Sequence, residues 1–188
     1  MERPVSLERL SPTHARTIRA LLDGYASLSA KKLIEPLSSD FIHHVLPTSL
    51  GMPSRTREEF ALCAAGIFSI FEEFRMIPTR IYEDEQRDVV VIHAKMKGTP
   101  RNRRKDGRMN WENECLLMVH LSKDGKQVVK LEEFVDSAKA VEMRRNQGYK
   151  FSLMAADSRE ALIRNAIMTT CLAAGTIMSA MWLWNWYD

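Results

Sequence analysis

Between Thr79 and Val135 this chain carries four runs rich in strand-forming residues: Thr79 to Glu83, Val89 to Met96, Trp111 to Leu121 and Val128 to Val135. The acidic turn Asp84 to Asp88 joins the first two, and Lys123, Asp124, Gly125 and Lys126 join the last two. An Asp-Gly pair between two such runs is a strong hairpin signal, because both residues tolerate positive φ. The runs therefore form an antiparallel meander, and a meander with one apolar face must bury that face against something. The residues ahead of it supply the cover. Ser11 followed by Pro12 opens a helix to about Ser27, with Ile18, Leu21, Leu22 and Tyr25 at helical spacing. A short helical stretch from Ala30 to Leu37 contains Pro36, which breaks it, and Phe41 to Leu46 reads as a short strand closed by Pro47 and a loop holding Gly51 and Pro53. Thr56 and Glu59 form a capping box, behind which Phe60, Cys63, Ala64, Ile67, Phe71 and Phe74 fall on one stripe up to Pro78. Ser137 is read as the cap of a last helix through Arg145.

Helices followed by a meander define an α+β fold. A strongly curved, cone-shaped antiparallel sheet would enclose a pocket against the helix at Thr56 to Phe74. The chain has 188 residues, 45% of them hydrophobic and 27% charged, which suits one globular domain plus an appendage and excludes disordered, collagen-like and coiled-coil classes. The formal charge is only +3, far from the dense positive field that sequence-independent nucleic-acid binding needs. Cys63, Cys115 and Cys171 are odd in number and widely spaced, so they form neither a disulfide framework nor a zinc set, and a reducing, cytoplasmic setting fits. Residues Met1 to Leu10 contain no apolar run of the secretory kind.

Period-two alternation assigns faces. In Val89 to Lys97 the row Val90, Ile92, Ala94 and Met96 is apolar and turns inward, which sends His93 to the outer face or a subunit interface. In the last strand Val129, Leu131 and Val135 make the apolar row and Glu133 interrupts it. A carboxylate there must be paired, shifted in pKa, or used. The strand from Trp111 leaves its inward face open, so either Asn113 or Glu114 reaches the pocket. His43 and His44 point to opposite faces. The pocket wall is assigned to Tyr25, to Phe60, Cys63, Ile67 and Phe71 of the long helix, and to Trp111 and Asn113. The hairpin loop with Arg101, Arg103, Arg104, Lys105 and Arg108 reads as a solvated tip. No glycine-rich phosphate loop, clustered Cys and His ligands or G-x-S-x-G nucleophile elbow occurs in the sequence, so cofactor-free acid and base chemistry is what the residues offer.

The run Phe41-Ile42-His43-His44-Val45-Leu46-Pro47-Thr48-Ser49-Leu50-Gly51, the run Trp111-Glu112-Asn113-Glu114, and Asp124-Gly125 leading to Glu132-Glu133-Phe134-Val135-Asp136-Ser137 resemble fungal SnoaL-like proteins of the nuclear transport factor 2-like superfamily. The resemblance covers about residues 11 to 150. Within that family it points to the small cofactor-independent isomerases of meroterpenoid and polyketide biosynthesis, of the terretonin and austinol type. It implies a cone-shaped α+β barrel, a homodimer, and a cavity for a polycyclic natural-product intermediate. It places the family's histidine on His43 and its strand glutamates on Glu114 and Glu133, while Cys63 stands where many relatives carry histidine. The chemistry expected is proton abstraction by Glu133 or Glu114, with His43 protonating or orienting the enolate. A dehydratase or cyclase of the same fold, or a module that binds a small apolar ligand without catalysis, are the alternatives.

Residues 151–188 form the appendage to a domain at 1–150. Asn165 to Tyr187 lacks any charged side chain and as a helix would be about 34 Å long, enough for a bilayer core. Arg159 and Arg164 precede it, and Trp182, Trp184, Trp186 and Tyr187 crowd its far end as an interfacial belt would. A membrane anchor, a helix packed on the barrel or dimer, and an extension without function are the three readings.

Overall fold

A computed structural model describes residues 7–101 and 111–139. Its elements are helix α1 (Pro12–Ala26), helix α2 (Ala30–Ile34), strand β1 (Leu37–Leu46), strand β2 (Arg55–Thr56), helix α3 (Arg57–Phe68), and strands β3 (Phe71–Asp84), β4 (Val89–Pro100), β5 (Trp111–Leu121) and β6 (Val128–Val135). The strands form one sheet in the order β2-β1-β6-β5-β4-β3. The meander β3 to β6 is antiparallel, as its turns predict, but β1 runs parallel to β6. The sheet is therefore mixed rather than purely antiparallel. The cause is topological: β1 precedes the meander, α3 carries the chain from the β2 edge to β3 at the far edge, and the meander then returns strand by strand until β6 lies beside β1.

The helices cover the inner face. Ile18 and Leu21 of α1, Leu33 of α2, and Ile92, Leu117, Val119 and Leu131 of the strands are all fully buried in one core. Close approach of α1 to α2 depends on Gly24, where a Cβ would lie 2.7 Å from the Leu33 Cα. At the β5–β6 hairpin Gly125 adopts φ +69°, the left-handed conformation the Asp-Gly signal anticipates, and presses against the His14 ring. Ser11 precedes α1 without capping it. Its amide and hydroxyl both donate to the Glu83 carboxylate, at 3.0 Å each, and His14 Nδ1 lies 2.6 Å from the same group.

Three boundaries move. Helix α2 stops at Ile34, before Pro36, and β1 begins at Leu37 rather than Phe41. Helix α3 keeps its expected capping box but ends at Phe68; Phe71 and Phe74 belong to β3, which runs through Pro78. A bulge between Phe71 and Glu73 explains the deception, since it leaves two exposed glutamates between two buried phenylalanines and so copies a helical spacing inside a strand. After β6, Asp136 rather than Ser137 accepts the amides of Ala138 and Lys139. The expected helix beyond residue 139, most of the basic loop at 101–108, and the tail at 165–187 lie outside the described residues. Among the described residues no helix is long and apolar enough to cross a membrane.

Candidate active site

Between α1, α3 and the concave face of the sheet lies a cavity of about 150 Å³. Most of its wall is apolar or aromatic, and its polar members are Tyr25, His43, Arg55, Asn113 and Glu133, with the thiol of Cys63 beside them. Strand alternation delivers them. On β1 the side chains of Phe41, His43 and Val45 turn inward, whereas His44 turns out to Ser54. On β6 Glu133 follows Leu131 on the inward row, two residues before Val135. Parallel pairing of β1 with β6 sets Val45 beside Glu133 and His43 beside Leu131, and so brings imidazole and carboxylate together. His43 Nε2 lies 3.2 Å from Glu133 Oε2, with the histidine side chain 4% exposed and the glutamate 15%. The Phe60 ring, 4.7 Å from the imidazole centroid, closes the histidine off from solvent.

Arg55 completes the polar group from the opposite side. It stands on the edge strand β2 in register with His43, is buried at 4% exposure, and puts Nη1 3.5 Å from His43 Nδ1. A guanidinium has only donors, so the Nδ1 that faces it carries the lone pair. The ring proton is then on Nε2 and is donated to the Glu133 carboxylate. Two buried donors in this wall, the Tyr25 hydroxyl and Arg55 Nη2, have no hydrogen-bond partner among the described residues. Burial, followed by the negative charge of Glu133, pushes the Tyr25 phenol well above its ordinary value. Cys63 is likewise raised, first by burial; Arg55 pulls it down and Glu133 pushes it up. Cys115, behind the wall, is raised further by burial and then by Glu133 and Glu114.

The sequence-derived residues divide accordingly. Tyr25, His43, Phe60, Cys63, Ile67, Trp111, Asn113 and Glu133 meet in the cavity wall. Glu114 does not: β5 turns Asn113, Cys115, Leu117 and Val119 inward, which sends Glu114 to the outer face, 55% exposed and bonded to His93. Phe71 sits one layer back, packed on Phe74 and Trp111 as core. Arg55 was not foreseen, because β2 is only two residues long and follows a Gly and Pro loop, where no alternation assigns a face. Its place next to the Thr56 capping box was the one available signal. Among the described residues no cluster of three or more His, Cys, Asp or Glu side chains is placed to hold a metal ion.

No protein-family model matches this chain. The protein nsrS of Aspergillus novofumigatus, named a monooxygenase, is 31% identical over 126 residues, which cover 66% of this chain and 81% of that protein. The monooxygenase dmxR10 of Cryptosporiopsis is 27% identical over 127 residues, covering 67% and 81%. Among solved structures, AusH from Aspergillus nidulans superposes with a TM-score of 0.59 at 24% identity, over 66% of this chain and 84% of that one. The BvnE pinacolase from Penicillium brevicompactum gives 0.65 at 15% identity over 72% and 94%. A Shewanella putrefaciens protein described as a SnoaL-like polyketide cyclase gives 0.57 at 11% identity over 70% and 96%.

Proposed function

Because this chain belongs to the fungal SnoaL-like family, we propose that it is a cofactor-independent isomerase of secondary metabolism that acts by acid and base chemistry on a polycyclic polyketide or meroterpenoid intermediate. The observation that carries the reading is the His43–Glu133 pair, held at 3.2 Å in a cavity whose wall is otherwise mostly apolar. The Glu133 carboxylate removes a proton from a carbon flanked by carbonyls, and the electron pair of that C–H bond moves into an enolate. The Nε2–H of His43 hydrogen-bonds the enolate as charge develops. Return of the same proton from Glu133 to a different carbon completes a double-bond shift, with no atom gained or lost. An aromatic cavity strengthens each of these contacts by keeping water away.

A volume of about 150 Å³ is the size of a cavity known to hold a single benzene ring and falls short of ordinary small-molecule pockets. Only the reacting ring of a polycyclic substrate enters it, and the rest stays at the mouth. A second reading is favoured by the relatives: nsrS and dmxR10 are both named monooxygenases. The first step is then shared, but the carbanion meets dioxygen instead of a proton. A methylene substrate and O₂ give a ketone and water, the methylene supplying all the electrons that dioxygen accepts.

The intermediate that accumulates in a strain lacking this protein is the test substrate. Conversion by the purified protein without oxygen to a product of equal mass supports isomerisation, strict dependence on oxygen supports the second reading, and no conversion under either condition refutes both. The homodimer belongs to this proposal, seated on the outer face of the sheet, where Leu116 and Phe134 are neighbours in register and 40% and 48% exposed. So do a cytoplasmic location and the anchor at residues 165–187, for which carbonate extraction of the full chain against a version ending at Asn146 is the check.

A further inference from the structure

We propose that Arg55 receives a carboxylate carried by the substrate, so that the molecules this cavity accepts are cyclic acids rather than neutral ketones or esters. The inference rests on the cavity being the reaction site described above and goes on to specify the chemical class of its occupant.

An arginine is almost never buried without an anionic partner, because an unpaired charge removed from water costs several kcal/mol. Arg55 is 4% exposed, and among the described residues no carboxylate lies within ion-pair distance of it. The one carboxylate in the cavity wall, Glu133, is engaged by His43 instead. The only hydrogen-bond contact of the Arg55 side chain among the described residues is the long one from Nη1 to His43 Nδ1, and Nη2 has none. An unpaired cation thus faces an apolar chamber with a nitrogen unused. Its planar fork matches a carboxylate, which takes two parallel N–H donors, better than it matches a single phenolate or enolate oxygen.

Placement favours the same conclusion. Arg55 and Glu133 sit on opposite sides of the His43 ring, one at Nδ1 and the other at Nε2. A carboxylate held by Arg55 therefore lies near the acid–base pair without touching the Glu133 oxygen that does the chemistry, and its negative charge is neutralised by the guanidinium that holds it. Anchoring one end of the reacting ring in this way fixes which carbon faces Glu133.

Binding of three two-ring probes, 2-naphthoate, 2-naphthamide and 2-naphthol, to the full chain at pH 7, measured by calorimetry, tests the proposal without turnover. The expected result is that naphthoate binds at least tenfold more tightly than either neutral probe. Arg55→Gln is expected to abolish that preference, and Glu133→Gln to keep or enlarge it. Equal affinity of the three probes for the wild-type protein overturns the proposal, as does a preference for naphthol or an absence of naphthoate binding. The wild-type comparison decides the matter even where Arg55→Gln fails to fold. Failure here is separable from failure of the acid–base reading: a Glu133→Gln protein that prefers naphthoate yet reacts at the wild-type rate ends the latter and leaves the former.

Discussion

Replacing Tyr25 by phenylalanine removes one oxygen and should make the protein more stable. The Tyr25 hydroxyl is buried and has no hydrogen-bond partner among the described residues. Leaving such a group unsatisfied costs about 1–3 kcal/mol of desolvation, which the substitution returns. The packing is kept, because the ring contacts with Phe68 at 6.5 Å and Phe74 at 6.2 Å involve the ring alone. For a chain of this length each kcal/mol moves the melting temperature by about 2–4 °C. The pH dependence adds a second readout. Burial, then Glu133, raises the Tyr25 pKa well above 10.0, so the folded state holds this proton more tightly than the unfolded chain does. A raised folded value gives stability that is fully present below the unfolded pKa and is lost as pH rises through the folded one. The wild type therefore weakens above pH 10 by a contribution that the variant lacks, and the gap between them widens there; the raised thiols of Cys63 and Cys115 are common to both and cancel. Urea unfolding at pH 7 and pH 11 measures both effects. A Tyr25→Phe protein less stable than wild type by more than 1 kcal/mol, or a gap independent of pH, would refute the argument. The same variant loses a donor in the cavity, so kcat/KM should fall while stability rises.

Two further outcomes follow from other parts of the molecule. Cys63 lines the cavity with its thiol raised above 9.0 mainly by burial, so iodoacetamide should modify it much more slowly at pH 7.5 than it does glutathione; Arg55→Gln, which removes the charge that pulls this pKa down, should slow it again. Peptide mass spectrometry follows the rate, and modification as fast as that of glutathione would contradict the burial. Glu83→Ala should cost about 1–3 kcal/mol, because it takes the shared acceptor from the Ser11 amide, the Ser11 hydroxyl and His14 Nδ1 at the start of α1, where the His14 and Glu83 side chains are only 9% and 8% exposed. A loss below 1 kcal/mol in urea unfolding would show that this contact does not hold α1 to β3.

How much of this was legible in the sequence depended on whether a local period survived. The hairpin at Gly125, the capping box of α3 and the inward row of β4 could all be read, since each is set by neighbouring residues. Glu133 stood out because it broke an apolar row, and the structure pairs it with His43. Phe71 and Phe74 misled because a bulge shifted the strand phase by one residue and imitated a helix. Glu114 was unreadable: both rows of β5 mix polar and apolar residues, and only pairing with β4 and β6 decides which row is buried. The parallel pairing of β1 with β6 joins residues some ninety positions apart, and no local pattern encodes it. Arg55 meets His43 through the local antiparallel pairing of β2 with β1, but β2 has two residues and offers no alternation from which to read it.

The central claim is that Glu133 moves the proton. Single-turnover conversion of the accumulated intermediate by Glu133→Gln, an isosteric change that keeps the hydrogen bond to His43 but removes the basic oxygen, tests it most directly. A rate lower by about 10²–10⁴ with substrate affinity maintained is the expected result. Conversion at the wild-type rate would contradict the account.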